Sequence, residues 1–404
     1  MATLRPFRAL RPSAVDAPRV AAPPYDVVNT REARELARGN RDSYLHVSRP
    51  EIDLPEGTDE HADAVYAKGA ENLADFERRG VLRPDASPHL YVYAQRMGEH
   101  RQVGLVACAS ADEYDADVIK KHEKTRQDKE DDRTRHIDVL GAHDEPVFLT
   151  YRAVPAIDEA IARIVRGTPE YDFATADGVE HRLWVAPPDA AREIEALFRG
   201  VPALYVADGH HRSAAASRVH ALRRGKPGEH GAFLAVVFPH DQMQILAYNR
   251  LVRDARRRPA AELREALAKV LDLASGGRPE PETPRSFGVL LGGRWWTARV
   301  RDGSYDLADP VASLDCSLLQ DQVLGPVFGV SDPRRDKNVD FVGGIRGARE
   351  LERRVKEEGW DVAFHLFPTR IEQLLAVSDA GLLMPPKSTW FEPKLRSGLF
   401  AHKF

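Results

Sequence analysis

Asp208-Gly209-His210-His211-Arg212 sets an acid, a glycine, two imidazoles and a guanidinium at five consecutive positions. Apolar Leu204, Tyr205 and Val206 precede them and Ala214, Ala215 and Ala216 follow, so the stretch reads as a strand, a tight turn and the first turn of a helix. The first backbone N–H groups of a helix lack intrahelical acceptors and lie at the positive end of its dipole. Glycine lets a ligand come close to the backbone, and arginine adds a fixed charge with a two-pronged donor fork. The set suits a phosphate or a carboxylate. The plainer alternative is an aspartate N-cap followed by two surface histidines. Neighbouring histidines on a helix point about 100° apart, so His210 and His211 are not expected to share one metal. One is expected to face a ligand while the other braces the turn.

Three further stretches hold groups of the same kind. Residues 118–141, VIKKHEKTRQDKEDDRTRHIDVLG, contain no large apolar side chain between Lys120 and His136. A helix there has no apolar stripe to bury, which predicts either a solvated, salt-bridged helix or a mobile flap. The flap reading gains from the mixture of groups: His122 with Glu123 and Thr125 early, Asp132 with Arg133 later, a carboxylate base and an arginine able to close over a phosphorylated ligand. Near the C-terminus, MPPKSTWFEPKLRSGLF joins Lys387, Ser388 and Thr389 behind two prolines, with Lys394 further on. These suit phosphate, although an arm packed by Trp390, Phe391 and Phe400 is an equal reading. APPYDVV at 22–28 presents Tyr25 and Asp26 on a stiff turn as candidate substrate contacts, to which His122 is added. No GxxxxGK[ST] and no GxGxxG occurs, so neither a P-loop nor a dinucleotide fingerprint is present.

These groups need elements to hold them. Ala64–Leu82 carries Tyr66, Ala70, Leu73 and Phe76 at helical spacing, with Gly80 as its stop. LYVYAQRMGEHRQVGLVACA reads as a hairpin about Gly98-Glu99, and FGVLLGGRWWTARV as one about Gly292-Gly293. AFLAVVFPHDQMQILAYNRLV reads as a further hairpin turning near His240–Gln242. AREIEALFRG and the stretch from Thr369 to Ala380 read as helices, and NVDFVGG, a charged helix at 345–358 and DVAFHLFP as strand–helix–strand. The fold class expected is α+β, with mixed, mostly antiparallel sheets and flanking helices. At 404 residues two domains are expected. The Gly/Pro-rich break ASGGRPEPETPR places them at 1–273, carrying the ADGHHR turn, and 274–404, ending in the MPPKSTWFEPK arm.

Composition narrows the function classes. The chain is 43% hydrophobic and 30% charged with a net charge of −4, so no basic field draws nucleic acid. Cys108 and Cys316 stand far apart, which argues against a disulfide scaffold, an iron–sulfur cluster or a thiolate zinc site and suits a reducing compartment. The first residues lack a signal-peptide core and no apolar run reaches the roughly 20 residues of a membrane span. The location expected is cytoplasmic, with no membrane partner.

Taken together and in order, PFRALRP with APPYDVV, HEKT…DDR, ADGHHR and MPPKSTWFEPKLRSGLF resemble the prokaryotic domain-of-unknown-function 1015 family, over nearly the whole chain. More distantly, Gly209-His210-His211-Arg212 is similar to the Gly-x-x-Arg phosphate-binding box of the ParB and sulfiredoxin superfamily, which includes nucleotide-dependent free-serine kinases. That likeness implies a ParB/sulfiredoxin-like nucleotide-binding core. In it Asp208, Gly209, His210, His211 and Arg212 cradle nucleotide phosphates, and a glutamate takes the proton of the serine hydroxyl. Chemistry alone assigns that last role to Glu123, and assigns phosphate contacts to Arg133, Lys387, Ser388, Thr389 and Lys394. The function expected is an ATP-dependent kinase acting on a small hydroxyl metabolite, free L-serine first, with Mg²⁺ held by Asp208. The alternatives are a nucleotide-binding regulatory protein of ParB type and a phosphate-ester hydrolase.

Overall fold

Strands form where β-branched and aromatic residues run together between turn residues, and here they build one large sheet in each of two units. The computed structural model describes residues 1–404, and these divide into Met1–Met243 with Pro393–Phe404, and Gln244–Glu392. The class is α+β with mostly antiparallel sheets.

The first unit contains a nine-stranded sheet made of β1 (Leu4–Arg5), β2 (Tyr91–Met97), β3 (His100–Ser110), β4 (Ile119–Lys120), β5 (Val147–Tyr151), β6 (Tyr171–Ala174), β7 (Glu180–Val185), β8 (Leu204–Asp208) and β9 (Ala232–Pro239). Their order is β4-β8-β5-β9-β3-β2-β7-β6, with β1 also paired to β3. The β4/β8 and β5/β9 pairs are parallel and the remainder antiparallel. The expected Gly98-Glu99 turn joins β2 to β3, with Met97 opposite His100. Helices α1 (Asp63–Arg78), α2 (Gln127–Leu140), α3 (Pro155–Val165), α4 (Pro188–Phe198) and α5 (His210–Leu222) accompany it.

Leu105, Val147, Leu149, Val206, Phe233 and Val237 of the sheet share one buried cluster with Ile157 and Ile161 of α3 and Ile194 and Phe198 of α4. Each such side chain contributes about 1.5–3 kcal/mol relative to exposure. A separate cluster joins Leu73 and Phe76 of α1 to Leu140 of α2, Tyr44 and Ala401. The last twelve residues are thus woven into the first unit. Leu10 and Ala401 exchange backbone hydrogen bonds at 2.9 and 2.8 Å, and so do Ala22 and Ser397 at 3.1 and 2.9 Å.

The second unit contains a six-stranded, wholly antiparallel sheet of β10 (Tyr248–Val252), β11 (Leu271–Ser275), β12 (Ser286–Leu291), β13 (Arg294–Val300), β14 (Val339–Gly343) and β15 (Val362–Leu366), in the order β11-β13-β12-β15-β10-β14. Gly292 and Gly293 both take positive φ, +60° and +74°, in the two-residue turn between β12 and β13. Both central positions of a type I′ turn require this. Helices α6 (Ala260–Val270), α7 (Gly347–Glu358) and α8 (Ile371–Asp379) complete it. No helix of the chain is long and apolar enough to cross a membrane.

Three local expectations are corrected. Residues 232–252 do not fold back as one hairpin, because both edges of β9 are taken by β3 and β5. Gln244–Leu246 pairs instead with Trp390–Glu392, and β10 with β14 and β15. The Gly/Pro-rich stretch 274–285 lies between two strands of one sheet, so the contacts divide the chain at 243/244 and 392/393 and not at 273/274. The charged stretch after Lys120 is not a flap. It forms α2, which packs on α1 and α5 and buries Asp132, Arg133, Thr134 and His136 along with Ile137 and Leu140.

Candidate functional site

Strand β8 is buried up to Ala207 and delivers Asp208 to the edge of the interior. Gly209 turns the chain with φ +90° and ψ 32°, a left-handed conformation that costs L-residues roughly 1–2 kcal/mol. A side chain there would also crowd its neighbour, since a Cβ would lie 3.1–3.2 Å from the Arg212 guanidinium. Helix α5 follows without a side-chain cap. Its first backbone bond runs from the Ser213 N–H to the Gly209 carbonyl at 2.9 Å, so the N–H groups of His210, His211 and Arg212 have no acceptor within the helix.

The ionisable side chains about this turn are buried or half-buried. Asp208 Oδ1 accepts from the Gly209 N–H and Oδ2 from Lys394 Nζ, both at 2.8 Å. Burial raises the Asp208 pKa, but the Lys394 ammonium and the Arg212 guanidinium outweigh it and hold the carboxyl well below the usual range. Arg212 is 6% exposed and donates to the Pro146 carbonyl. Burial opposes its charge, and Asp26, Glu145, Asp208 and Tyr25 more than restore it. Asp208 therefore does not fit Mg²⁺ in this arrangement. Both its oxygens are engaged, one of them by an ammonium that a dication would have to displace.

The two histidines part as their helical spacing requires. His211 Nε2 accepts from the Arg126 N–H at 3.1 Å and ties the turn to the segment before α2. His210 is 5% exposed and points to His122, itself 1% exposed, with ring centroids 4.4 Å apart and planes at 90°. Burial lowers the His210 pKa to about 4. The same cause, with His210 adding to it, holds His122 well below its ordinary value. Glu123 completes this group, and the ligand-capable atoms of His122, Glu123 and His210 all lie within 4.8 Å of one another. Strand pairing explains the meeting. β4 and β8 are adjacent and parallel, with Ile119 opposite Leu204 and Lys120 opposite Tyr205, so the residues leaving their C-terminal ends run side by side.

A polar network lies along α2. The Arg133 guanidinium sits 4.0 Å from the centroid of the Tyr25 ring and bonds Asp132 at 2.8 Å. Tyr66 Oη donates to Asp132 at 2.8 Å, His61 Nδ1 is 3.1 Å from it, and His136 Nε2 is 3.2 Å from Asp144. Arg133, Tyr25, Asp132 and His136 line one small polar pocket with Arg49, Glu51 and Lys129. Glu145 was missed in the sequence. It is buried, its Oε1 accepts from the Tyr25 N–H at 3.0 Å and the Ser397 hydroxyl at 2.6 Å, and burial pushes its pKa up to about 7. The available signal was an acid pair, Asp144-Glu145, separated only by Pro146 from the wholly apolar start of β5.

The first unit thus holds Tyr25, Asp26, His122, Glu123, Arg133, Asp208, Gly209, His210, His211, Arg212 and Lys394. Lys387, Ser388 and Thr389 belong to the second unit. There Lys387 takes φ +58°, and its carbonyl accepts from Arg250 at 3.0 Å. The Ser388 hydroxyl donates to the Pro385 carbonyl at 2.6 Å, and the Ser388 carbonyl accepts from Thr369 at 2.8 Å.

Among solved structures, a free serine kinase in complex with AMP is 15% identical, with a TM-score of 0.37, covering 73% of this chain and 92% of that one. A conserved hypothetical protein from Pyrococcus furiosus is 13% identical at a TM-score of 0.36, covering 73% and 95%. SbnI with a C-terminal truncation from Staphylococcus aureus is 13% identical at 0.38, covering 74% and 87%. Overlays this loose do not assign equivalent residues. No curated protein matches the chain. The family model described as "Protein of unknown function (DUF1015)" matches residues 4–317, and with its four ordered motifs the chain belongs to that family.

Proposed function

We propose that the chain binds ATP through the Asp208–Arg212 turn and transfers its terminal phosphoryl group to the hydroxyl of a small metabolite, free L-serine being the first candidate. The observation that carries this reading is the turn itself: three N–H groups at the start of α5, opened by a left-handed glycine, beside the buried Arg212 and the half-buried Lys394. Phosphoryl transfer asks chiefly for positioning and for fixed positive charge. Arg212 is held by the Pro146 carbonyl and by the field of Asp26 and Glu145, so its charge is in place before a ligand arrives.

In this reading Asp208 orients Lys394, His211 braces the turn, and Tyr25, Asp26 and His122 face the acceptor, with Arg133 adding charge on the α2 side. The bond between the terminal phosphorus and the bridging oxygen of ATP breaks and ADP leaves. The acceptor oxygen bonds to phosphorus, and its proton passes to Glu123. Mg²⁺ brought with the nucleotide would supply charge neutralisation on the phosphates.

Phosphorus NMR of the pure chain with ATP, Mg²⁺ and pooled hydroxyl metabolites, L-serine included, tests this. ADP and a new phosphomonoester signal should grow together, and only with acceptor present. Free phosphate released from added esters would make the chain a hydrolase. Binding of ATP with no turnover for any acceptor would make it a nucleotide-binding regulator.

A further inference from the structure

We propose that His122, Glu123 and His210 form a site for one zinc-type divalent cation with an open coordination position, a role that stands whether or not the chain transfers phosphate. The two imidazoles and one carboxylate come from separate segments, 122–123 after β4 and 210 at the head of α5, and they converge with all ligand-capable atoms within 4.8 Å of one another. They do so beyond the C-terminal ends of two adjacent parallel strands, where strand pairing fixes the spacing of the segments. Ligand sites collect at such strand ends in parallel arrangements.

The state of the imidazoles points the same way. Nε2 of His210 is buried and has no hydrogen-bond partner, which is costly for a polar atom unless something else fills the place. The His122 ring is hydrogen-bonded to the Val206 backbone. An outer partner of that kind fixes the tautomer of a metal-ligating histidine and directs its other nitrogen at the ion. Donor atoms around a tetrahedral zinc stand about 3.4 Å apart, given metal–ligand lengths of 2.0–2.1 Å. The present bound of 4.8 Å exceeds that by about 1.4 Å, and Glu123 is half-buried on the segment between β4 and α2.

The donor set selects the ion. Two imidazoles and one carboxylate suit zinc and its first-row neighbours, whereas Mg²⁺ prefers an all-oxygen shell. The group includes no thiolate, and three protein ligands leave a fourth position for water or a ligand oxygen, as in reactive rather than structural zinc sites. Glu123 coordinating through one oxygen keeps the other to accept a proton, so this role is compatible with that of a base.

The test uses the untagged full chain, stripped with a chelator and titrated with Co²⁺ and then Zn²⁺. The expected result is one Co²⁺ per chain with the visible absorption of a four-coordinate site, bleached by one equivalent of Zn²⁺ and unaffected by excess Mg²⁺. Glu123→Gln keeps the size of a half-buried side chain and His210→Asn removes the second imidazole. Each should weaken binding by at least the roughly 10–100-fold that loss of an outer-shell partner costs. His211→Ala, whose imidazole is turned to Arg126, should keep the full stoichiometry. Wild-type protein that takes up no Co²⁺ or Zn²⁺, equal binding by wild type and Glu123→Gln, or loss of binding in His211→Ala would each overturn the proposal. Because the readout is metal uptake, a failure of kinase activity leaves it intact, and its failure leaves the kinase reading intact.

Discussion

Glu145 illustrates how a single buried carboxyl ties the candidate site to measurable pH behaviour. Its pKa rises from an ordinary 4.5 to about 7 because burial disfavours the charged form. Between those values the folded chain holds a proton that the unfolded chain has lost, so stability falls as pH rises through that window. Glu145→Gln accepts the same bonds from Tyr25 and Ser397 without the titration. The difference in melting temperature, wild type minus variant, should therefore drop between pH 5 and pH 8; a flat or rising difference would show that Glu145 is charged throughout. Little of this was legible beforehand. His122 and His210 are far apart in the chain, and only the parallel pairing of β4 with β8 reveals that they touch. The turn chemistry of Asp208–Arg212, by contrast, is local, and the strand, glycine and helix were readable from residue types alone.

At the scale of elements, α2 shows where hydropathy fails as a guide. A helix rich in Asp, Glu, Lys and Arg reads as solvated, yet this one buries Asp132, Arg133, Thr134 and His136. It does so because the three ionisable ones find partners on another element or beside it, Tyr66 and His61 for Asp132, the Tyr25 ring for Arg133 and Asp144 for His136. Burial by pairing leaves no periodic signature. Asp132→Ala should strip the buried Arg133 of its carboxylate partner and cost about 3–5 kcal/mol in urea unfolding. A loss within about 0.5 kcal/mol, typical of surface sites, would return α2 to the status of a solvated helix. Hairpins fared better, since Gly98-Glu99 and Gly292-Gly293 announce their turns locally. The failure at 232–252 came from competition, both edges of β9 being satisfied by strands distant in sequence.

For the whole molecule, a chain that leaves its first unit at Met243 and returns to it at Pro393 cannot be divided by a linear reading. The Gly/Pro-rich stretch at 274–285 was the most linker-like segment, but strands on both sides join one sheet. The returning arm supplies Lys394 to Asp208 and Ser397 to Glu145. It also buries Leu395, Leu399 and Phe400, worth about 1.5–3 kcal/mol each, a sum comparable with the 5–15 kcal/mol by which domains are stable. A chain ending at Glu392 should therefore lose the near-ultraviolet dichroism and cooperative melting of its first unit; wild-type melting would show the arm to be dispensable. The central claim, that the Asp208–Arg212 turn receives nucleotide phosphate, is tested most directly by amide NMR of the full chain during titration with ATP and Mg²⁺. The amides of His210, His211 and Arg212 should show the largest downfield shifts, saturating together, and Arg212→Lys should weaken them because an ammonium lacks the guanidinium fork. Saturable ATP binding that leaves these three amides unmoved, or no binding at all, would contradict the account.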